Sequence, residues 1–393
     1  MRKDSKLPKA LSTIVIIGCL LFYAWETFLT GLSISEPGWQ KSFLYIVLLL
    51  LLVLFITPCK WLILSLLFVI YEIGVLLGGW ASGYTFSSFQ FGRYRLLKVK
   101  GHLILKKYPM SHFPQCLMKP PESEPEKCPY RLYILGGEIL LYFVFIAGYA
   151  VFILLQRHVF AYTFAFLPAL FSLFLIFMLT WPFKSASFVS PAHLAFYAIP
   201  RNPSLRSAHH YVSRILPALF ESDSISEIPV SLLEKVLRHD YSLLDYGHVA
   251  LLYEIKSIIH AYRGEDDEEK LCYETMYNSP VAGSSVKTTA KMGLLFLELI
   301  GECRHEEIEK YFDSSVTTYF KKHKRNPSTK RILYAFRLLY ENNPSAAQKE
   351  FDDFKKIIAV YPDLIDVNSE WDAIRKIQRR KLWKDSGRTY ITS

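Results

Sequence analysis

Residues 64–92 read LSLLFVIYEIGVLLGGWASGYTFSSFQFG. The first eighteen positions are apolar or small, with one carboxylate, Glu72, among them. An ionisable side chain inside a membrane-length apolar segment is costly to keep there, so it marks a functional candidate. Small residues follow, and then a run of aromatics and hydroxyls with the composition of a strand.

Outward from this stretch, 51% of the 393 residues are hydrophobic and 15% aromatic, with the long apolar runs before Pro182 and most of the charge after it. That asymmetry divides the chain into a membrane half and a water-soluble half. The net charge of +10 fits segments held on the cytoplasmic face, near anionic lipid. No interleaved basic and aromatic surface points to a nucleic acid, so the lipid bilayer is the expected partner and no nucleic acid is. Cys19, Cys59, Cys116, Cys128, Cys272 and Cys303 form no C-x-x-C pair. They read as scattered reduced thiols.

Arg2, Lys3, Lys6 and Lys9 precede an apolar run at 11–31. No A-x-A-like cleavage site follows, so an uncleaved first span with its N-terminus inside is expected. Residues 42–80 are the longest apolar tract, broken at Pro58-Cys59-Lys60. As one helix they would reach about 58 Å, well past the ~30 Å hydrocarbon core. The tract is therefore either two spans or one span with a broken lead-in. The basic segment 81–131 belongs inside, which favours one net crossing. Residues 83–107 read as short strands in a surface hairpin, and the prolines from Pro109 to Pro129 read as an irregular loop. Two further spans are expected at 132–156 and 160–181.

Beyond Pro182 the pattern is amphipathic and helical, with helices expected at 247–262, 286–300, 306–320, 329–340 and 345–360. Asn326-Pro327 and Asn343-Pro344 read as helix starts. The expected fold class is mainly α: a polytopic helical membrane domain with a short cytoplasmic β-hairpin, then an α-helical, tetratricopeptide-like soluble domain. No clean 34-residue repeat supports the repeat label. The expected boundaries are 1–41 for the basic segment and first span, 42–195 for the membrane core and 196–393 for the cytoplasmic helices.

Tyr71-Glu72-Ile73-Gly74-Val75 has the frame of the H-E-x-x-H helix motif with both histidines replaced. Gly83, Tyr84, Phe86, Ser88, Phe89 and Gly92 stand in the order of a G-Y-x-F-x-S-F-x-x-G strand. Gln115-Cys116-Leu117-Met118, Pro120-Pro121-Glu122 and the run from Pro129 to Gly137 follow in order, and Trp181-Pro182-Phe183-Lys184 comes last. Over roughly residues 60–195 the chain thus resembles the site-2 protease family of intramembrane zinc metallopeptidases, specifically a Gram-positive branch of it. The resemblance implies a bacterial plasma-membrane protein of several spans with its C-terminal domain in the cytoplasm. It also implies a peptide-binding role for the strand 83–92.

The departures bear on the chemistry. A catalytic zinc needs three N, O or S ligands from the protein, and a helix brings positions i and i+4 to one face. Here those positions are Tyr71 and Val75, and valine has no donor atom. The family's aspartate position falls near Pro191, and no aspartate occurs between Lys184 and Asp223. The second-motif asparagine is Ile134. Glu72, the general-base position, is retained, but without a metal-bound water it has nothing to activate. His193, His209-His210 and His305 (in an H-E-x-x-E spacing) read as surface or cap histidines. Glu72 itself reads as solvated near the cytoplasmic end, as a relict partnered by Tyr71 or water, or as a polar contact for a ligand. Glu26 and Glu138 read as interfacial carboxylates.

The expectation is a non-catalytic pseudopeptidase, without cofactor, that binds a membrane peptide or a partner protein through its scaffold and cytoplasmic helices. Two alternatives stand beside it. One is an active atypical peptidase that carries zinc and processes small membrane or secreted peptides. The other is an accessory or immunity component of a peptide export system, with a transporter as partner.

Overall fold

The computed structural model describes residues 62–155, 167–182, 184, 189–238 and 243–386. The spans expected at 11–31 and before residue 62, the turn at 157–159 and Glu26 lie outside the described residues. By contact, residues 62–68, 145–155 and 167–172 belong to one compact unit, and 69–144 with 173–386 to a second. The fold is mainly helical with one small sheet. Within the first unit, Phe145 stacks on Tyr149 at 6.1 Å and the Ser172 hydroxyl donates to the Pro168 carbonyl at 2.7 Å.

Helix α1, Leu62–Ala81, and helix α2, Arg131–Leu155, are each long and apolar enough to cross a membrane. Helix α3, Leu167–Thr180, is shorter. Leu66, Ile73, Leu77 and Trp80 on α1 are exposed, as are Phe143 and Ile146 on α2 and Phe177 on α3.

Helix α1 ends where Gly83 takes the left-handed conformation at φ +78°. Its N–H donates to Trp80 O at 3.0 Å and the Tyr84 N–H to Gly79 O at 2.9 Å. This is the paired 5→2 and 6→1 closure that a C-terminal glycine permits. The chain leaves directly into β1, Thr85–Val99, which pairs antiparallel with β2, His102–Lys119. Lys100 and Gly101 join them, both at positive φ, the tight hairpin turn whose twist suits the strands.

The strands are longer than the sequence predicts, because β2 runs through the expected proline loop. Pro109 falls between the pairs Tyr94↔Lys107 and Gly92↔His112, and Pro114 between Gly92↔His112 and Gln90↔Gln115. Both intervals are register shifts. A proline costs no ladder bond at a bulge.

Helix α1 meets α2 through glycines. A Cβ on Gly74 would lie 2.8 Å from Gly137 Cα, and one on Gly78 would lie 3.0 Å from Gly136 Cα. Gly74-x-x-x-Gly78 is the small-residue spacing that lets two helix backbones approach closely.

A helix over 191–201 (α4), with a π-helical turn at Leu194–Ala198, leads into α5, Pro203–Glu221. The helical array continues as α6 (Val230–Arg238), α7 (Gly247–Arg263), α8 (Asp266–Asn278), α9 (Ser284–Ile300), α10 (His305–Tyr311), α11 (Ser314–Lys322), α12 (Pro327–Ala335, with a π-helical end), α13 (Pro344–Ile358) and α14 (Leu364–Asp385). Asn202, Asn326 and Asn343 each precede a proline and cap the next helix, accepting from Leu205 N, Ser328 N and Ala346 N. The helix expected at 306–320 is instead two. Asp313 Oδ1 accepts from Ser315 N and Val316 N at 2.9 and 3.1 Å, so it caps a new helix where a continuous one was expected. Two buried clusters fill this array. One runs from Ala198 to Ala290 and takes in Tyr130 and Ile365, and the other runs from Leu294 to Ile377.

Candidate functional site

The peptidase-like motif folds onto the hairpin. Glu72 Oε2 accepts the backbone N–H of Cys116 at 2.6 Å. Two residues on, Met118 donates its backbone N–H to the Tyr133 hydroxyl. Alternate N–H groups of a strand point to the same edge, so Glu72 and Tyr133 both lie against one edge of β2. The partner of this carboxylate oxygen is a backbone amide rather than the expected Tyr71.

Two of the positions compared with metal ligands, Tyr71 and Val75, are filled by packing. Val75 is buried with Tyr84, Cys116, Met118 and Cys128, and Tyr71 lies against that cluster. The Tyr71 ring also occupies the space over Gly137, where a Cβ would meet its Cζ at 2.7 Å. Burial, then the nearby Glu72, push the Cys116 thiol up to about 12. Pro191 is the first residue of α4 behind the Ser190 cap, whose hydroxyl accepts the His193 N–H at 3.2 Å. The donors at these positions do not fit tetrahedral zinc, because one is valine and another proline. Among the described residues no group of three or more His, Cys, Asp or Glu side chains is placed to hold a metal.

Glu138 differs from its expected interfacial setting. It is 2% exposed, and its Oε1 has no hydrogen-bond partner among the described residues. It lines a cavity of about 620 Å³ together with Tyr142, Thr180, Ala192, Phe196 and Tyr197. This cavity borders two of the degenerate segments, since Ala192 follows Pro191 and Leu135, also in the lining, follows Ile134.

The strand residues divide between packing and turn roles. Tyr84 is buried, stacks on Tyr133 at 4.6 Å and meets Cys128 Sγ at 3.3 Å through its hydroxyl. Ser88 is buried, Phe86 and Phe89 are half-buried, Gly83 closes α1, and Gly92 sits at the bulge at φ +57°. The edge of β1 away from β2 carries no further strand among the described residues.

His209 and His210 are not surface histidines. Tyr133 leads to His209 at 6.4 Å, His209 to His248 at 5.6 Å, His248 to Tyr246 at 6.1 Å, and Tyr246 to His193 at 6.5 Å. With the Tyr84–Tyr133 stack, this ring series joins the strand to α5, α7 and α4. Nε2 of both His209 and His248 is buried without a hydrogen-bond partner among the described residues. Burial, then His210, lower His209 to about 4, and burial, then His209, lower His248 to about 3. His193 stacks on Tyr197, and its Nε2 lies 3.4 Å from the Tyr246 hydroxyl. His305 sits on an exposed helix beside Glu309 at 3.3 Å.

Sequence reasoning missed the Glu138 cavity and the His209–His248 pair, which depend on segments far apart in the chain. The glycine contact had a legible signal in the 74–78 spacing. No family model, no curated protein and no solved structure matches this chain.

Proposed function

We propose that this protein is a multi-pass plasma-membrane pseudopeptidase: a site-2-protease-like scaffold without its metal that binds a membrane peptide, with its C-terminal helices in the cytoplasm. The observation that carries it is the use of Glu72. The one retained catalytic-type side chain accepts the Cys116 amide while Val75 and Tyr71 pack as core. A carboxylate committed to a strand edge is a structural acceptor. The apolar faces exposed on α1, α2 and α3 support lipid as their solvent, since soluble monomers rarely expose contiguous apolar surface on that scale. No resident cofactor belongs to this reading. The helical array from α5 to α14 offers the surface for a partner protein.

Metal analysis of detergent-purified protein, beside a cleavage assay on a membrane-anchored peptide, tests it. The expected result is no stoichiometric zinc and no cleavage. One zinc per chain that chelation removes, or cleavage abolished by Glu72→Gln, overturns it.

A further inference from the structure

A carboxylate buried on the wall of a cavity without a partner is a binding site for whatever can pair with it. Glu138 meets that description. It is 2% exposed; among the described residues its Oε1 is unpartnered and no lysine, arginine or histidine lines the cavity with it. The volume, about 620 Å³, is in the range of sites that enclose a small ligand or side chain. Tyr142, Phe196 and Tyr197, also in the lining, are exposed at 43%, 53% and 41%, so the cavity combines solvent-reaching aromatic rings with a single acid. Aromatic faces attract a cation as well as apolar carbon. A long alkyl chain ending in an ammonium group satisfies both parts. The cavity is separate from the strand 83–92 and lies beside Ile134 and Pro191, the neighbours of its lining residues Leu135 and Ala192.

We propose that this cavity receives a lysine side chain of a membrane-inserted peptide, its alkyl stem between Tyr142, Phe196 and Tyr197 and its ammonium group on Glu138. The assignment rests on the peptide-binding reading and adds the residue class recognised. The Thr180 hydroxyl donates to the Ile176 carbonyl at 2.5 Å, so its proton is not offered to Glu138.

The test uses the full-length chain in phosphatidylcholine nanodiscs. The probe is a fluorescent polyleucine helix with one central lysine, and its control has norleucine there. The lysine peptide is expected to bind about tenfold tighter. Glu138→Gln should erase that preference while leaving norleucine binding and the unfolding temperature unchanged, which shows that the variant is folded. Phe196→Ala should weaken lysine binding severalfold. Equal binding of the two peptides to the wild type, or a preference that survives Glu138→Gln, overturns the assignment and leaves the peptide reading standing. Binding of neither peptide overturns both. A lysine preference that vanishes when phosphatidylethanolamine replaces phosphatidylcholine gives the carboxylate to a lipid amine and overturns the peptide form.

Discussion

The carboxylate of Glu72 and the backbone amide of Cys116, 44 residues apart, are joined by a 2.6 Å hydrogen bond. It ties α1 to β2 at the point where a peptidase of the resembled family would activate water. A buried strand N–H left without an acceptor costs roughly 1–3 kcal/mol. Glu72→Ala should therefore lower the unfolding temperature by several degrees, while Glu72→Gln, which keeps an acceptor oxygen, should stay within about 1 kcal/mol of wild type. Thermal unfolding in detergent checks this, and equal losses for both variants would remove the amide as the partner.

The glycine contact should be intolerant of side chains. Gly78→Val and Gly136→Val each place atoms against a facing backbone, and overpacking of this kind costs about 1–3 kcal/mol. Gly247→Ala, at the start of α7 with open space around it, should be neutral or stabilising by up to about 1 kcal/mol. Denaturation midpoints of the three variants decide whether close approach, rather than glycine content, sets the cost.

The His209–His248 pair should make the protein acid-sensitive. Their folded values, about 4 and about 3, lie below the unfolded value near 6.5. The unfolded state therefore binds more protons as pH falls, so the stability is fully present above pH ~6.5 and is lost progressively down to about 4 for His209 and about 3 for His248. For His209 the depression corresponds to about 3 kcal/mol. Stability measured from pH 7.5 to 4.5 should fall less steeply in His248→Phe than in wild type; parallel curves would assign the acid loss to other groups.

Asp363 should hold the hairpin to the helical array. Its Oδ2 accepts the Tyr108 hydroxyl at 2.7 Å, and its Oδ1 pairs with Lys106 at 3.2 Å. Asp363 is buried, so Asp363→Ala strands two donors and should cost about 1–3 kcal/mol. Hydrogen exchange at 102–108 should rise in that variant. Unchanged protection there would place the hold elsewhere along the hairpin.

Local signals carried much of the architecture. Asn326-Pro327 and Asn343-Pro344 announce helix starts because a proline at the first helical position loses nothing and the asparagine satisfies a free N–H. Gly101 and Gly83 mark positive-φ turns that other residues resist. The prolines of β2 misled, because proline forbids a ladder bond only where the ladder needs one. At residues 109 and 114 it does not, and that follows from the pairing register rather than from the neighbours in sequence. Asp313 likewise looks like an ordinary acidic position in a charged helix until its oxygen meets two backbone N–H groups.

The sequence by itself determined which side chains in the 71–75 segment can donate to a metal. Donor atoms belong to residue types, and no folding gives Val75 a lone pair. The tertiary structure decided what the remaining polar side chains meet. Glu72 became an acceptor for Cys116, Glu138 came to line a cavity without a partner, and His209 met His248. Each outcome is set by which distant segment packs against the side chain. Burial, pairing and charge state follow from that contact rather than from the residues on either side in the chain.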